Sequence, residues 1–68
     1  MVMHNNVNRL KIVLAEKGKS NKWLSEQLEV SQSSISKWCT NTAQPSIEIL
    51  IKISKILDVE ITKLLNYK

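Results

Sequence analysis

The segment SNKWLSEQLEVSQSSISKW, residues Ser20–Trp38, decides the fold of this 68-residue chain. A helix is predicted over residues 21–28, because the hydroxyl of Ser20 can cap its first turn. A short turn at Glu29-Val30 separates it from a second helix, which Ser31 can cap in the same way. The apolar side chains of the segment can meet only if the two helices cross; these are Leu24, Leu28, Val30, Ile35 and Trp38.

The residues before this segment predict another helix. It is expected to have Asn5 or Asn6 as its cap and to end at Gly18, whose missing side chain suits a left-handed backbone. Residues 1–5 show no periodic pattern and are expected to form a flexible tail. The apolar positions of this helix follow helical spacing and are Val7, Leu10, Val13 and Leu14.

Two more helices are expected after Trp38. Asn41 suits the left-handed position that ends the preceding helix, and Ser46 can cap a helix over residues 47–57. A strand is the competing interpretation of this isoleucine-rich stretch, but its apolar residues recur every three or four positions. A last short helix is expected over residues 60–65. The sequence therefore predicts one all-α domain of five short helices, spanning residues 1–68.

The chain carries a formal net charge of +4, and most of the excess lies in its first part. Six basic and three acidic residues occur up to Trp38, against four basic and three acidic residues in the remainder. A basic excess favours a polyanionic partner, although a lysine-rich solvated surface explains the charge equally well.

The composition argues against several classes of site, and no cofactor is expected. A single cysteine, Cys39, cannot form an internal disulfide, and a single histidine, His4, offers no second metal ligand. No catalytic set of side chains and no glycine-rich phosphate loop are visible, so an enzyme is not expected. There is no leader pattern, and the longest apolar stretch, residues 47–57, is too short and too charged for a membrane span. These features favour a cytoplasmic protein without a membrane or small-molecule partner.

The outward face of the helix over residues 32–38 is wholly polar and carries no acidic residue. Glutamine can pair with adenine, lysine with guanine, and serine fits where the backbone comes close to a base. A solvated face is the alternative interpretation, but two crossing helices joined by a tight turn are the plan of a helix-turn-helix, which favours contact with DNA. The four residues of this face are Gln32, Ser33, Ser36 and Lys37.

Three stretches carry a resemblance to a known family: NRLKIVLAEKGKS, NKWLSEQLEVSQSSISKW and QPSIEILIKISKILDVEITKLL. At this spacing they resemble, over residues 8–65, the helix-turn-helix domain of the Cro and phage-repressor type, the XRE family. The stretches NKWLSEQL and SKWCTNTAQPS resemble the sequences of small stand-alone regulators of Bacteroides-like bacteria. The resemblance implies a compact, five-helix, lambda-repressor-like domain in which the second and third helices form the motif.

The resemblance also implies double-stranded DNA as the partner and assigns residues to it. Gln32, Ser33, Ser36 and Lys37 match the base-facing positions of the recognition helix. Asn21, just inside the second helix, matches a residue that donates to phosphate. The further phosphate-facing positions are Ser20, Lys22, Ser34, Thr40, Asn41 and Thr42.

Three departures from the family pattern bear on this assignment. The loop CTNTAQP has no positive charge, which predicts weaker and less salt-sensitive binding than in basic-loop relatives. Leu14 and Cys39 stand where relatives often pair Arg with Glu, so no orphan charge remains and Cys39 is expected to be a packed apolar residue rather than a redox sensor. Glu29 stands where glycine is usual, so it needs a left-handed backbone, costing about 1 kcal/mol, or an altered turn.

The predicted function is a sequence-specific, nucleoid-associated bacterial transcriptional regulator that reads the major groove with residues 32–38. A domain this small makes few base contacts, so a homodimer on a pseudo-palindromic site is expected. The competing function is a protein-interaction module, such as the small partner of a toxin or restriction system, which the neutral loop favours. The dimer surface is expected at the following residues, with completion of a monomer core as an equal alternative: Ile49, Ile56, Leu65 and Tyr67.

Overall fold

Four α-helices and a closing 3-10 turn make up residues 7–66, the part of the chain that the computed structural model describes. The described residues contain no strand, only one antiparallel bridge between Asn8 and Leu65. The prediction of an all-α class is therefore confirmed. The elements are α1 (Leu10–Glu16), α2 (Asn21–Leu28), α3 (Gln32–Cys39), α4 (Ile47–Leu57) and the 3-10 turn (Ile61–Leu64).

Three serines cap the helices whose starts the sequence predicts. The side-chain oxygens of Ser20, Ser31 and Ser46 accept hydrogen bonds from the backbone N–H three residues further on, at 3.0, 3.2 and 3.2 Å. Each cap of this kind contributes about 1 kcal/mol to stability. The predicted starts of α2, α3 and α4 are confirmed.

Left-handed backbone occurs just beyond each of the four α-helices. Gly18 and Asn41 adopt it as predicted, with φ of 67° and 61°. Glu29 adopts it as well, with φ of 59°, so the turn between α2 and α3 has a backbone conformation that glycine would adopt without strain. Asp58 does the same after α4, with φ of 57°.

The first helix is shorter than predicted. α1 begins at Leu10, and Val7 is exposed instead of contributing to the core. The backbone before α1 is not helical because it pairs with the far end of the chain: Arg9 N–H donates to Leu64 O, and Asn66 N–H donates to Val7 O, both at 2.8 Å. The expected tail, residues 1–5, and the expected cap residues Asn5 and Asn6 lie outside the described residues.

The predicted short last helix is present as a single 3-10 turn, Ile61–Leu64, so the predicted count of five helices is confirmed only in part. Lys63 N–H donates to Glu60 O at 2.9 Å, and Leu65 N–H donates to Thr62 O at 3.3 Å, so the bonds span three residues rather than four. Leu65 then takes an extended backbone and pairs with Asn8. The tertiary pairing therefore ends the element before a longer helix can form.

Nine apolar side chains form the buried core, and every helix and the 3-10 turn contribute to it. The predicted crossing of α2 and α3 is present, with Leu24 and Ile35 both fully buried. Ser25 is buried too, and its hydroxyl donates to Lys22 O at 2.7 Å, so a small residue lies on the inner side of α2. The nine residues are Leu10, Val13, Leu14, Leu24, Ile35, Leu50, Ile53, Leu57 and Leu64.

A buried asparagine, Asn8, joins α1 to the end of α3 and to the loop that follows it. Asn8 is only 3% exposed, its Oδ1 accepts from Leu10 N–H at 2.9 Å, and its Nδ2 donates to Trp38 O at 2.9 Å and to Gln44 Oε1 at 2.7 Å. Its backbone N–H donates to Asn41 Oδ1 at 2.9 Å, and its carbonyl accepts from Asn41 Nδ2 at 3.2 Å. Gln44 Nε2 also donates to Asn41 Oδ1, at 3.1 Å. Asn8, Asn41 and Gln44 together form the amide network.

Replacing the buried amide should destabilise the protein. Asn8→Ala is expected to lower the free energy of unfolding by about 2–3 kcal/mol, because buried N–H and C=O groups lose their partners. Urea unfolding followed by far-UV circular dichroism measures this change. The matched control is Asn66→Ala, at an exposed asparagine, which should stay within about 0.5 kcal/mol of the parent. Equal effects of the two substitutions would contradict a structural role for the amide network.

The left-handed turn between α2 and α3 offers a stabilising substitution. Glu29→Gly should raise the free energy of unfolding by about 0.5–1 kcal/mol, because glycine adopts positive φ without the steric cost. Asn41→Gly has the same backbone requirement but removes side-chain bonds of the amide network, so it should lower the free energy of unfolding. Thermal unfolding of both variants gives the comparison, and two shifts in the same direction would contradict this explanation.

Candidate nucleic-acid interface

The outer face of α3 is exposed, polar and free of acidic residues. The side chain of Ile35, on the inner face of α3, is fully buried in the core. Lys37 stands in the last turn of the helix, and no acidic residue occurs within α3. The structure thus leaves all four predicted base-facing residues exposed on one helix: Gln32, Ser33, Ser36 and Lys37.

Hydroxyl groups cluster at the beginning of α3. Ser31 Oγ lies 3.3 Å from Ser33 Oγ and 3.0 Å from Ser34 Oγ, and it also accepts from Ser34 N–H. Each hydroxyl can either donate or accept, so the cluster can rearrange around an incoming acceptor. Ser34 is half-buried, whereas Ser33 is exposed. The start of α3 therefore combines adaptable hydroxyls with the partial positive charge of a helix N-terminus.

A shallow groove of about 310 Å³ joins α3 to α1 and to the start of α2. It brings Ser20 and Asn21 of the α2 start together with Ser36 and Thr40, and the exposed Lys22 follows directly after Asn21. Ser20 and Asn21 are the cap and the first residue of α2, and the N–H groups of a helix start can meet an anion. The groove is lined by Lys11, Leu14, Ala15, Lys19, Ser20, Asn21, Ser36, Cys39 and Thr40.

Two lysines of this groove were missed by reasoning from the sequence. Lys11 comes from the first turn of α1, and Lys19 lies directly before the Ser20 cap. The ammonium of Lys19 lies 4.7 Å from the centre of the Trp23 ring, a cation–π contact that limits its motion. Lys19 could have been suspected from its position beside a helix cap, but only the packing of α1 on α3 brings Lys11 to the same groove.

Asn21 and Cys39 contact each other across the groove. Cys39 Sγ donates to Asn21 Oδ1 at 3.6 Å, which turns the amide nitrogen of Asn21 away from the thiol. Cys39 is half-buried and packs against the core, as predicted. Burial raises the pKa of the Cys39 thiol above its ordinary value of 9.0, and the positive charge of Lys11 opposes that rise. The thiol is thus held in its neutral form at neutral pH.

The uncharged loop after α3 is held by hydrogen bonds. Thr40 Oγ1 lies within bonding distance of Ser36 O and Lys37 O, at 3.1 and 3.2 Å, and 2.8 Å from Thr42 Oγ1. The side chain of Asn41 belongs to the amide network and points into the protein. Of the three loop residues predicted to face phosphate, Thr40 and Thr42 are exposed, while Asn41 shapes the loop.

The residues predicted to form a dimer surface lie partly against the core. Ile49, Ile56 and Leu65 are half-buried and pack on the core cluster, and Tyr67 lies outside the described residues. The exposed large apolar side chains among the described residues are different ones: Val7, Ile12, Ile47 and Ile51.

The range of residues 7–66 holds no group of three His, Cys, Asp or Glu side chains arranged for a metal ion. None of its helices combines the length and the hydropathy that crossing a bilayer would require.

The comparison with known proteins agrees with this geometry. A helix-turn-helix family model matches residues 10–64, and the chain belongs to this XRE-type family of DNA-binding domains. Its structure is similar to the crystal structure of a candidate DNA-binding protein from Bacteroides fragilis, with a TM-score of 0.87 and 47% sequence identity. That similarity covers 88% of this chain and 97% of the Bacteroides chain. No protein with a curated description matches the chain. The predicted family is therefore confirmed.

The environment of Cys39 predicts a slowly reacting thiol. Iodoacetamide should alkylate Cys39 with a pH midpoint above 9.0, because the thiolate is the reactive form and burial disfavours it. Lys11→Ala should move the midpoint higher still, since it removes the opposing positive charge, and the matched control Lys17→Ala should leave it in place. Because the folded-state pKa is raised, the stabilising effect of the neutral thiol is complete below the unfolded-state pKa and disappears as pH rises through the folded-state value. A midpoint at or below 9.0 would contradict this account.

Proposed function

We propose that the protein is a sequence-specific transcriptional regulator that inserts α3 into the major groove of double-stranded DNA. The observation that carries this proposal is the exposed, acid-free polar face of α3, which lies beside the capped start of α2. A helix placed in this way can reach base edges, while the neighbouring helix start reaches the phosphate backbone. Membership of a DNA-binding helix-turn-helix family supports the same function.

Four side chains of α3 are proposed to read the bases. Gln32, at the first position of the helix, suits a bidentate pair with adenine, and Lys37 suits the acceptors of guanine. Ser33 and Ser36 are short, exposed side chains that allow close approach and accept or donate as the base requires. The proposal therefore assigns adenine and guanine contacts to the two ends of the exposed face.

The proposed phosphate contacts come from the start of α2, from Ser34 and from the loop after α3. Asn21 offers its amide nitrogen, Lys22 offers a charge, and the first turn of α2, which Ser20 caps, offers backbone N–H groups. Thr40 and Thr42 offer hydroxyls, with Asn41 holding the loop that carries them. The groove adds Lys11 and Lys19, which can replace part of the charge that the loop lacks.

Binding is proposed to involve two copies of the chain on a pseudo-palindromic site. One α3 presents four base-reading residues, which is few for a specific site in a bacterial genome. Half-sites about one helical turn apart would let two copies bind the same face of the duplex. The proposed place of action is the bacterial nucleoid, in the cytoplasm.

A second candidate function is a protein-interaction module with weak DNA binding. The neutral loop after α3 favours it, since residues 40–44 contribute hydroxyl and amide groups but no positive charge. The two functions differ in a simple observation. A regulator should be retained on random duplex DNA at low salt and released as salt rises, whereas an interaction module should pass through.

Selection of bound sequences from a random pool of duplex DNA tests the proposed function directly. The expected result is enrichment of a motif with two related half-sites. Failure to enrich any sequence would overturn the regulator and favour the interaction module.

Two substitutions separate base reading from phosphate binding. Lys37→Ala should relax the preference at one base pair of each selected half-site, with a loss of about 1–3 kcal/mol in discrimination. Asn21→Ala should weaken binding to selected and random duplexes alike, because phosphate contacts carry no sequence information. Fluorescence anisotropy with both duplexes measures the two effects. The matched control Lys63→Ala, at an exposed lysine of the 3-10 turn, should change neither. A uniform effect of Lys37→Ala would contradict the docking of α3.

A further inference from the structure

The end of α3 and the start of α2 are joined by a hydrogen bond between side chains. Cys39, the last residue of α3, donates its thiol proton to Asn21, the first residue of α2, with 3.6 Å between Sγ and Oδ1. Both residues are half-buried, and both line the groove between α1, α2 and α3. They lie 18 positions apart in the chain, so the bond fixes a side chain of one helix to the other helix.

The amide of Asn21 has a donating side and an accepting side, and the bond to Cys39 decides which of them is free. The amide oxygen only accepts hydrogen bonds, whereas the nitrogen carries two donors. Because the thiol of Cys39 holds Oδ1, the Nδ2 group lies on the opposite side of the amide, away from the thiol. Phosphate oxygens accept hydrogen bonds, so an anion can bind Nδ2 and is repelled by Oδ1. The bond therefore selects the orientation of Asn21 that suits an anion.

Cys39 is held in place and keeps its proton. Its side chain packs against the buried core, which fixes the position of the sulfur. Burial raises the pKa of the thiol above its ordinary value of 9.0, while the positive charge of Lys11 opposes that rise. A protonated thiol can donate, whereas a thiolate could only accept and would favour the opposite orientation of the amide. Cys39 is therefore a donor to Asn21 at neutral pH.

The lysines of the same groove supply charge without direction. Lys11 and Lys19 line the groove together with Asn21, and an ammonium group is a point charge on a flexible stem. An amide nitrogen that is held in place adds a hydrogen bond, whose strength depends on its angle. The contribution of Asn21 to an anion contact therefore depends on its orientation, which the bond to Cys39 sets.

We propose that Cys39 is a positioning residue for DNA binding, which holds the amide nitrogen of Asn21 toward the phosphate backbone. This inference rests on the proposed function, in which Asn21 contacts phosphate. Cys39 itself contacts no DNA and acts through Asn21 alone. The half-buried thiol thus has a role beyond packing.

The two orientations of the amide set the size of the expected effect. Without the thiol, neither orientation of Asn21 is favoured, and only about half of the molecules present Nδ2 to phosphate. The apparent Kd is the intrinsic Kd divided by the fraction of competent molecules, so it should rise about twofold. Because phosphate contacts carry no sequence information, Kd should rise equally for selected and random duplexes.

Two matched substitutions of Cys39 test the proposal in DNA binding. Cys39→Ala removes the donor, whereas Cys39→Ser keeps a donor, and both variants lose the packing of the sulfur. Fluorescence anisotropy should show a Kd about twofold higher for Cys39→Ala on both duplexes, while Cys39→Ser should bind like the parent. Thermal unfolding shows that both variants are folded at the temperature of the titration. Equal Kd values for the two variants would overturn the proposal.

The Asn21→Ala background separates positioning from a general effect on α3. Once the amide is absent, Cys39→Ala and Cys39→Ser should bind with equal Kd, because the thiol acts through Asn21. A difference that arises from packing or from the position of α3 would be the same in both backgrounds. A difference between the two Cys39 variants that persists in the Asn21→Ala background would therefore overturn the proposal.

NMR relaxation tests the contact without DNA. The Nδ2 group of Asn21 should be ordered in the parent and in Cys39→Ser, and its order parameter should fall below about 0.6 in Cys39→Ala. Two other asparagines are references in the same spectra: the amide of Asn8 is buried and hydrogen-bonded, and Asn66 is exposed. An Asn21 amide that is as mobile as the Asn66 amide in the parent would overturn the contact.

The outcomes separate this inference from the proposed function. Enrichment of a DNA motif together with equal Kd values for Cys39→Ala and Cys39→Ser would overturn the positioning role and leave the regulator intact. A thiol-dependent order of the Asn21 amide in a protein that binds no duplex would support the contact. The same result would overturn the regulator and, with it, the role of this contact in phosphate binding.

Discussion

A buried amide needs hydrogen-bond partners, and Asn8 finds them on the first turn of α1, the last turn of α3 and the loop that follows α3. Its carbonyl and N–H bind the side chain of Asn41, so the backbone before α1 is held against that loop. Because Trp38 O is one of the partners, the end of α3 has a defined position relative to α1. The exposed face of α3 and the groove beside it follow from that position.

The same bonds explain how a loop without positive charge can lie at the proposed DNA surface. Its polar groups are used for shape: Asn41 and Gln44 bind Asn8, and Thr40 bonds back to the end of α3. Positive charge comes instead from Lys11, which the packing of α1 brings to the groove, and from Lys19 in the connection before α2. The proposed interface therefore combines a neutral, hydrogen-bonded loop with lysines from other parts of the chain, and it depends more on the contacts of α3 itself.

Predictions from the sequence succeeded wherever the cause is local. Serine caps act on N–H groups three residues away, and Gly18 and Asn41 adopt a left-handed backbone for reasons contained in their own side chains. Helical spacing was sufficient to place the bounds of α2 and α4. The structure differs from the prediction at the start of α1 and in the extent of the final element, because the pairing of residues 7–9 with residues 64–66 overrides their local helical pattern.

The sequence by itself determined the helical class, the crossing of α2 and α3 and the polar composition of the outer face of α3. Helical periodicity and capping depend only on residues a few positions apart in the chain. Tertiary structure alone decided the role of Asn8, whose side-chain nitrogen binds partners 30 and 36 residues away, and the position of Lys11 beside Asn21 and Ser36. It also decided which isoleucines of α4 face solvent. Ile47 and Ile51 are exposed and Ile49 packs on the core, because of the way α4 is rotated against its neighbours. Such long-range contacts have no local signal, so they emerge only when the whole chain is packed.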